Sequence, residues 1–282
     1  MNSVNKILEL RFWGVRGSIA APGSHTVAVG GNTTCLSLQV GDELLIFDAG
    51  TGIRNLGNFL QEERRTGCHG HIFFSHYHWD HIQGLPFFAP GRSDKYQFHL
   101  YGERKEGADP KAILDTQMQS PYSPVPFPEF DALEEFTALT EDDTIELDNG
   151  ACVRTGRLNH PNGAIGYRVE YGSQVICIVT DHEHPEEGLD PNVVSFVEGA
   201  DVLVHDAQYH PDEKAGPKKG WGHSSWEEAA LTAKEARVGR LFLSHHDPDR
   251  SDAEVHEITS QARKLFPDTD AATETTVALF DS

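Results

Sequence analysis

The chain has 282 residues, 38% hydrophobic and 24% charged, with a formal net charge of −21; this is the make-up of a globular protein and excludes intrinsic disorder. No apolar run approaches the roughly 20 residues that span a bilayer, and the start, Met1-Asn2-Ser3-Val4-Asn5-Lys6, lacks a basic and apolar leader, so a cytoplasmic protein is expected. So acidic a chain repels nucleic-acid backbones, which are bound through Lys and Arg; with no basic group larger than pairs such as Lys218-Lys219, long nucleic acids and membranes are poor partners and a small molecule is the expected one.

Residues 8–15 read as a strand leading into a Gly-rich stretch over 14–31. A hairpin follows, with strands 35–40 and 43–47 about Gly41-Asp42, then a turn at 48–52 and a helix over 53–64. Residues 71–75 form a short buried strand that stops where the histidines begin. From 101 to 136 the character changes, to a helix at 109–118 and then Pro121, Pro124, Pro126 and Pro128, a density that no helix or central strand accommodates. This segment reads as an insertion covering part of a single domain that spans 1–282, with Tyr122 and Phe127 exposed; an ordinary connecting loop is the other reading.

Strands return at 144–147, 151–159, 164–171 and 174–180, then at 202–205 and 240–244. Helices are predicted at 192–198, 226–237 and 253–265, the last two opened by capping boxes, Ser225 with Glu228 and Ser251 with Glu254. Strands followed by helices in both halves predict an α/β protein with two sheets face to face and helices outside, an αββα four-layer sandwich. Cys35, Cys152 and Cys177 fall in apolar strands with no CxxC pair, so buried free thiols are expected.

The chemistry concentrates in His76-Tyr77-His78-Trp79-Asp80-His81. A loop at a strand end turns several such side chains to one point, and neutral imidazole and carboxylate are good ligands for Zn²⁺. Chance is a poor account of so ordered an H-x-H-x-D-H pattern. Further polar residues stand at strand ends: Asp48 after 44–47, His160 after Leu158-Asn159, Asp181 after 175–180, and His245 after 241–244. A rigid sheet can aim such residues, although each taken alone would more often be structural.

With these motifs in this order, nearly the whole chain resembles the metallo-β-lactamase superfamily. The resemblance implies that His76, His78 and His160 bind one metal, that Asp80, His81 and His245 bind a second, that Asp181 bridges both, and that Asp48 accepts hydrogen bonds behind them. Two Zn²⁺ are the implied cofactors, and Mn²⁺ or iron would suit the same donors. Such ions lower the pKa of a bound water from 15.7 towards 7, giving a hydroxide nucleophile at neutral pH.

The segments His205-Asp206-Ala207-Gln208-Tyr209 and Gly222-His223-Ser224-Ser225 resemble paired motifs of the phosphodiesterase branch, which includes ribonuclease Z and related cyclic-nucleotide phosphodiesterases. There the histidine matching His223 protonates the leaving oxygen. Asp206, where ribonuclease Z has glutamate, would orient it. Asp80, His223 and Asp206 are thus the candidate catalytic residues; the simpler reading of His223 is a residue leading into a capped helix. The stretches 12–18 and 30–35 resemble bacterial members of the branch, with Arg16 either a phosphate contact or an internal ion pair. His182, His184 and His246 are expected to line the pocket without binding metal. Relatives are often dimers, so a homodimer is implied by analogy alone.

No Gly/Pro-rich basic insertion suited to gripping tRNA is visible. With the charge, this favours a small phosphodiester such as a cyclic nucleotide as substrate. The same ligands serve lactone, thioester and lactam hydrolysis, and a metal-binding regulatory module without catalysis is the alternative from another class.

Overall fold

The computed structural model describes residues 7–63, 68–133 and 135–281; the opening residues 1–6 and Arg64, at the end of the predicted first helix, lie outside them. The first half runs β1 (Ile7–Gly14), β2 (Cys35–Val40), β3 (Glu43–Phe47), α1 (Ile53–Glu62), β4 (Cys68–Phe73), α2 (Trp79–Ile82), β5 (Tyr96–Glu103), α3 (Pro110–Gln117) and β6 (Glu135–Leu139). The second half runs β7 (Thr144–Glu146), β8 (Cys152–Leu158), β9 (Ala164–Tyr171), β10 (Gln174–Val179), α4 (Pro191–Phe196), β11 (Val202–Asp206), α5 (Pro211–Ala215), α6 (Trp226–Glu235), β12 (Arg240–Ser244), α7 (Asp252–Leu265), β13 (Thr269–Ala271) and β14 (Val277–Asp281). The strands form two seven-stranded sheets, ordered β14-β1-β2-β3-β4-β5-β6 and β13-β12-β11-β10-β9-β8-β7.

The predicted αββα sandwich is the observed architecture. Strand β3 shows why its sequence is apolar throughout: Leu45 and Phe47 face the second sheet, while Leu44 and Ile46 face the helical layer. Inside, Leu10, Leu38 and Phe47 join Val169, Val204 and Phe242. Outside, Leu56 and Leu60 of α1 cover one sheet, and Val193, Ala229 and Ile258 of α4, α6 and α7 cover the other. Each fully buried Leu, Val, Ile or Phe among them contributes about 1.5–3 kcal/mol. Both predicted capping boxes are formed. Among the described residues, no helix is long and apolar enough to cross a membrane.

Three expectations are corrected. The ends of the 101–136 segment belong to β5 and β6, which pair in parallel with His99 opposite Glu135; the Pro-rich run between them masks their membership of one sheet. Phe127 is 4% exposed, because it packs between Phe130 and Phe136 on the outer face of the first sheet, whereas Tyr122 is exposed as expected. Cys152 is only half-buried, next to the short edge strand β7, while Cys35 and Cys177 are buried thiols.

Candidate metal centre

Strands β3 to β6 run parallel, as do β10 to β13. Two antiparallel pairings separate β8 from β10, so these two also share a direction. The loops after β4, β8, β10, β11 and β12 therefore emerge at C-terminal strand ends, where α/β sheets place their sites. The sheets are joined there by hydrogen bonds from Tyr167 Oη to the Phe74 carbonyl (2.6 Å) and from the Ile165 amide to the Ser75 carbonyl (3.0 Å). The carbonyls of residues 74 and 75 thus turn to the second sheet, while the Phe74 amide still donates to the Tyr101 carbonyl of β5 (2.8 Å), and β4 ends at Phe73, before the predicted end at 75.

All seven predicted ligand residues come together. His76, His78 and His160 form one group, and Asp80, His81, Asp181 and His245 another, each with its ligand-type atoms within 4.8 Å of one another. A third group overlaps the second and consists of Asp181, Asp206, His223 and His245. His160 Nε2 lies 3.0 Å from His78 Nδ1, and His245 Nε2 lies 3.2 Å from Asp181 Oδ1 and 3.3 Å from both Asp80 Oδ2 and His81 Nε2. Among the described residues, two buried atoms of these ligand groups have no hydrogen-bond partner, His76 Nε2 and Asp181 Oδ2; the latter is 2.8 Å from His81 Nε2 but not aligned as a hydrogen bond. Orphaned donor atoms inside a ring of imidazoles and carboxylates fit divalent metal ions.

The charge balance agrees. Burial alone would raise Asp181, yet the imidazoles of His245, His81 and His76 hold it well below the usual carboxylate range. Burial likewise opposes ionisation of Asp80, and His81 and His245 overcome it. Conversely, burial would lower His245 and His81, but Asp181 leads the carboxylates that push them up, His245 to about 9. The carboxylates thus stay ionised and draw positive charge to one point. In the first group burial dominates: it lowers His160 to about 4, and it lowers His76, with His81 adding to it.

Residues beyond the seven predicted ligands hold this arrangement. Asp48, as expected, accepts from the Ser75 amide (2.8 Å) and sits 2.8 Å from His81 Nδ1. Unpredicted are the Ser18 amide, which donates to Asp80 Oδ2 at 2.7 Å, and Gln208, whose Oε1 lies 3.1 Å from His245 Nδ1 while its amide donates to Ser18 Oγ at 3.1 Å. Asn162 Oδ1 lies 3.2 Å from His78 Nε2, and the Gly222 carbonyl 2.8 Å from His160 Nδ1. A Cβ on Gly222 would meet His160 Nδ1 at 2.2 Å, and one on Gly17 would meet the His245 ring at 2.5 Å. Asp48, Asp181 and His245 all adopt left-handed backbone, with φ of 62°, 50° and 57°, which costs on the order of 1–3 kcal/mol each and is typical of functional sites.

His223 Nδ1 is 2.8 Å from Asp206 Oδ2 and 3.5 Å from Asp181 Oδ1, and its ring stacks on that of His245 with centroids 5.0 Å apart. Arg16 is fully buried and spans three carbonyls, those of Gly30 (2.8 Å), Asp247 (3.1 Å) and Arg250 (2.7 Å). It is an internal strut, not a phosphate contact. His182, His184 and His246 are 0–2% exposed and bonded internally, so they do not line a pocket.

The model of the family described as the beta-lactamase superfamily domain matches residues 44–246. A ribonuclease Z from Enterococcus faecalis is 26% identical over 318 aligned positions, covering 93% of this chain and 94% of that protein. Among solved structures, the metallo-beta-lactamase fold protein YhfI from Bacillus subtilis superposes with a TM-score of 0.73 at 19% identity, covering 98% of this chain and 100% of that one. A diphosphatase from the PhnP family superposes at 0.68 with 18% identity, covering 98% of each chain. With the family match spanning most of its length and a His/Asp cluster at the strand ends, the chain is a metal-dependent hydrolase that belongs to the beta-lactamase superfamily domain family.

Proposed function

We propose that the chain is a phosphodiesterase of small phosphodiesters, such as cyclic nucleotides, that works with two zinc ions. The observation that carries this reading is the His223–Asp206 pair at the edge of the second ligand group. His76, His78 and His160 would hold one ion, Asp80, His81 and His245 the other, and Asp181 both. Bound there, the ions would supply a water that ionises near neutral pH and positive charge for the phosphoryl oxygens. Asp206 orients the imidazole of His223 through Nδ1, so Nε2 is free to give its proton to the departing oxygen, which is too basic to leave as alkoxide.

Two observations favour a small substrate over RNA. The net charge of −21 opposes a polyanion. The alignment to the enterococcal ribonuclease Z is longer than this chain, so that protein carries segments with no counterpart here. The diphosphatase neighbour shows that the same fold carries phosphoryl chemistry. Free thiols at Cys35, Cys152 and Cys177 fit a reducing compartment, the cytoplasm.

The test is hydrolysis of bis-p-nitrophenyl phosphate by zinc- and manganese-loaded protein, with His78→Ala as control. Metal-dependent nitrophenol release that the control loses is the expected result. No release from protein carrying two metals would turn the assignment to lactone, thioester or lactam substrates.

A further inference from the structure

Tryptophan is a large apolar side chain that folding normally covers, and the chain has four. Trp226 is buried, and Trp13 packs on Phe59 with ring centroids 5.2 Å apart. Trp79 and Trp221, in contrast, are 80% and 56% exposed. Both exposed rings stand on the backbone of the candidate metal centre. Trp79 lies between His78 and Asp80, and Trp221 precedes Gly222, whose carbonyl faces His160 Nδ1. Since His160 also meets His78, a His78–His160–Gly222 chain of contacts ties together the two segments that carry the rings. Ile19, 61% exposed, follows Ser18, whose amide holds Asp80.

Trp221 is also oriented. Lys218 Nζ sits 4.4 Å from its ring centre and 5.4 Å from that of Tyr209, and the Tyr209 ring stands edge-on to His223 at 5.6 Å. Lys218 is thus one aromatic ring away from the proposed proton donor. Among the described residues no carboxylate lies within ion-pair distance of it, although its neighbours Lys214 and Lys219 are paired with Glu228 and Glu186. An uncompensated ammonium beside a fixed indole suits a ligand with both a planar ring and negative charge.

Resting on the phosphodiesterase reading, we infer that Trp79 and Trp221 form a stacking rim for the substrate, which is a phosphodiester carrying a nucleobase or a comparable planar aromatic group. Lys218 holds Trp221 in place and meets the non-bridging phosphate oxygens. A second protein copy seated on both rings would lie across the backbone of His78 and Gly222 and obstruct the centre, so a small ring is the occupant the geometry favours.

The test compares two esters with one leaving group, thymidine 5′-(p-nitrophenyl phosphate) and methyl p-nitrophenyl phosphate, on zinc-loaded wild type, Trp79→Ala and Trp221→Ala. The ratio of kcat/KM for the thymidine ester to that for the methyl ester should fall about 10-fold in each variant, mainly through KM, because base–aromatic stacking is lost. Phenylalanine at either position should restore most of the ratio. A ratio that stays at the wild-type value overturns the rim. Calorimetric binding of thymidine 5′-monophosphate gives a readout without turnover, and should weaken about 10-fold in the same variants. Binding that depends on the rings while wild type hydrolyses neither ester would sink the phosphodiesterase reading and keep the rim. Hydrolysis of both esters with unmoved variants would do the reverse. If sedimentation velocity shows that the substitutions dissociate a wild-type dimer and leave the ratio unmoved, the rings form an interface between copies and the inference is wrong.

Discussion

Replacing His223 with alanine isolates the proton requirement of the leaving group. In the folded chain Asp206 is fully buried and accepts from the backbone amides of Gln208 (3.0 Å) and His182 (3.3 Å) as well as facing His223 Nδ1. The carboxylate therefore keeps two donors in the variant, and the loss of the third costs about 1–3 kcal/mol. The protein should fold and keep its metals, because neither proposed ligand set uses His223. General-acid catalysis contributes about 10²–10⁴-fold, which is about 3–5 kcal/mol of barrier. A cyclic nucleotide, which must expel an alkoxide, should lose that factor. Bis-p-nitrophenyl phosphate expels a weakly basic phenolate and should lose about tenfold or less. The assay is both turnovers in parallel on protein of measured metal content. Equal losses on the two substrates at unchanged metal content would refute the proton-donor role. Loss of a metal would instead make His223 a ligand within the group it shares with Asp181, Asp206 and His245.

Gly17→Ala places a methyl group 2.5 Å from the His245 ring and 2.9 Å from Gln208 Oε1; metal analysis should show the second ion lost and the first retained. Arg16→Met leaves the Gly30 and Arg250 carbonyls without their side-chain donor, while that of Asp247 keeps the Arg250 amide (3.0 Å); stability should fall by about 3 kcal/mol, read as a lower urea midpoint at constant m-value. Burial, and after it His182, His205 and Lys214, hold His184 far below the ordinary 6.5. The unfolded chain takes up a proton there below about pH 6.5 and the folded one does not, so stability is full above that pH and falls as pH drops, by about 1.4 kcal/mol per unit. Urea titrations between about pH 7 and 4 should show a shallower decline for His184→Gln; identical slopes would remove His184 from the acid sensitivity.

Much of the centre was legible because its residues are either contiguous, as in 76–81, or placed at the ends of apolar strands, as with His160, Asp181 and His245. What hid the rest was distance along the chain and backbone geometry. Ser18 reaches Asp80 through a main-chain amide, which any residue type supplies, and Gln208 reaches Ser18 across 190 positions. Left-handed turns at Asp48, Asp181 and His245 leave no compositional mark, since none is glycine. The histidines at 182, 184 and 246 look like pocket residues in the sequence because they neighbour ligand positions. The strands they follow point them into the core, where backbone groups or Thr232 meet their ring nitrogens. Strands β5 and β6 flank the Pro-rich run 121–128, which gives the whole of 101–136 the look of an insertion, although β5 alternates apolar with polar residues (Gln97, His99) much as β2 does with Ser37 and Gln39.

The centre draws on both sheets: residues 76–81 follow β4 in the first, and residues 160, 181, 223 and 245 come from loops of the second. Neither sheet alone has the full donor set, and beside the centre the sheets are linked by the Tyr167–Phe74 and Ile165–Ser75 bonds over their shared apolar core. With the proposed ligand sets, tight metal capture would be a late event in the life of each new chain, open only after distant segments have met. A nascent or partly unfolded copy would hold metal through residues 76–81 alone and release it readily to chelators. Resistance to chelation is thus a quality mark of finished assembly, and it can be followed in a refolding mixture without any substrate.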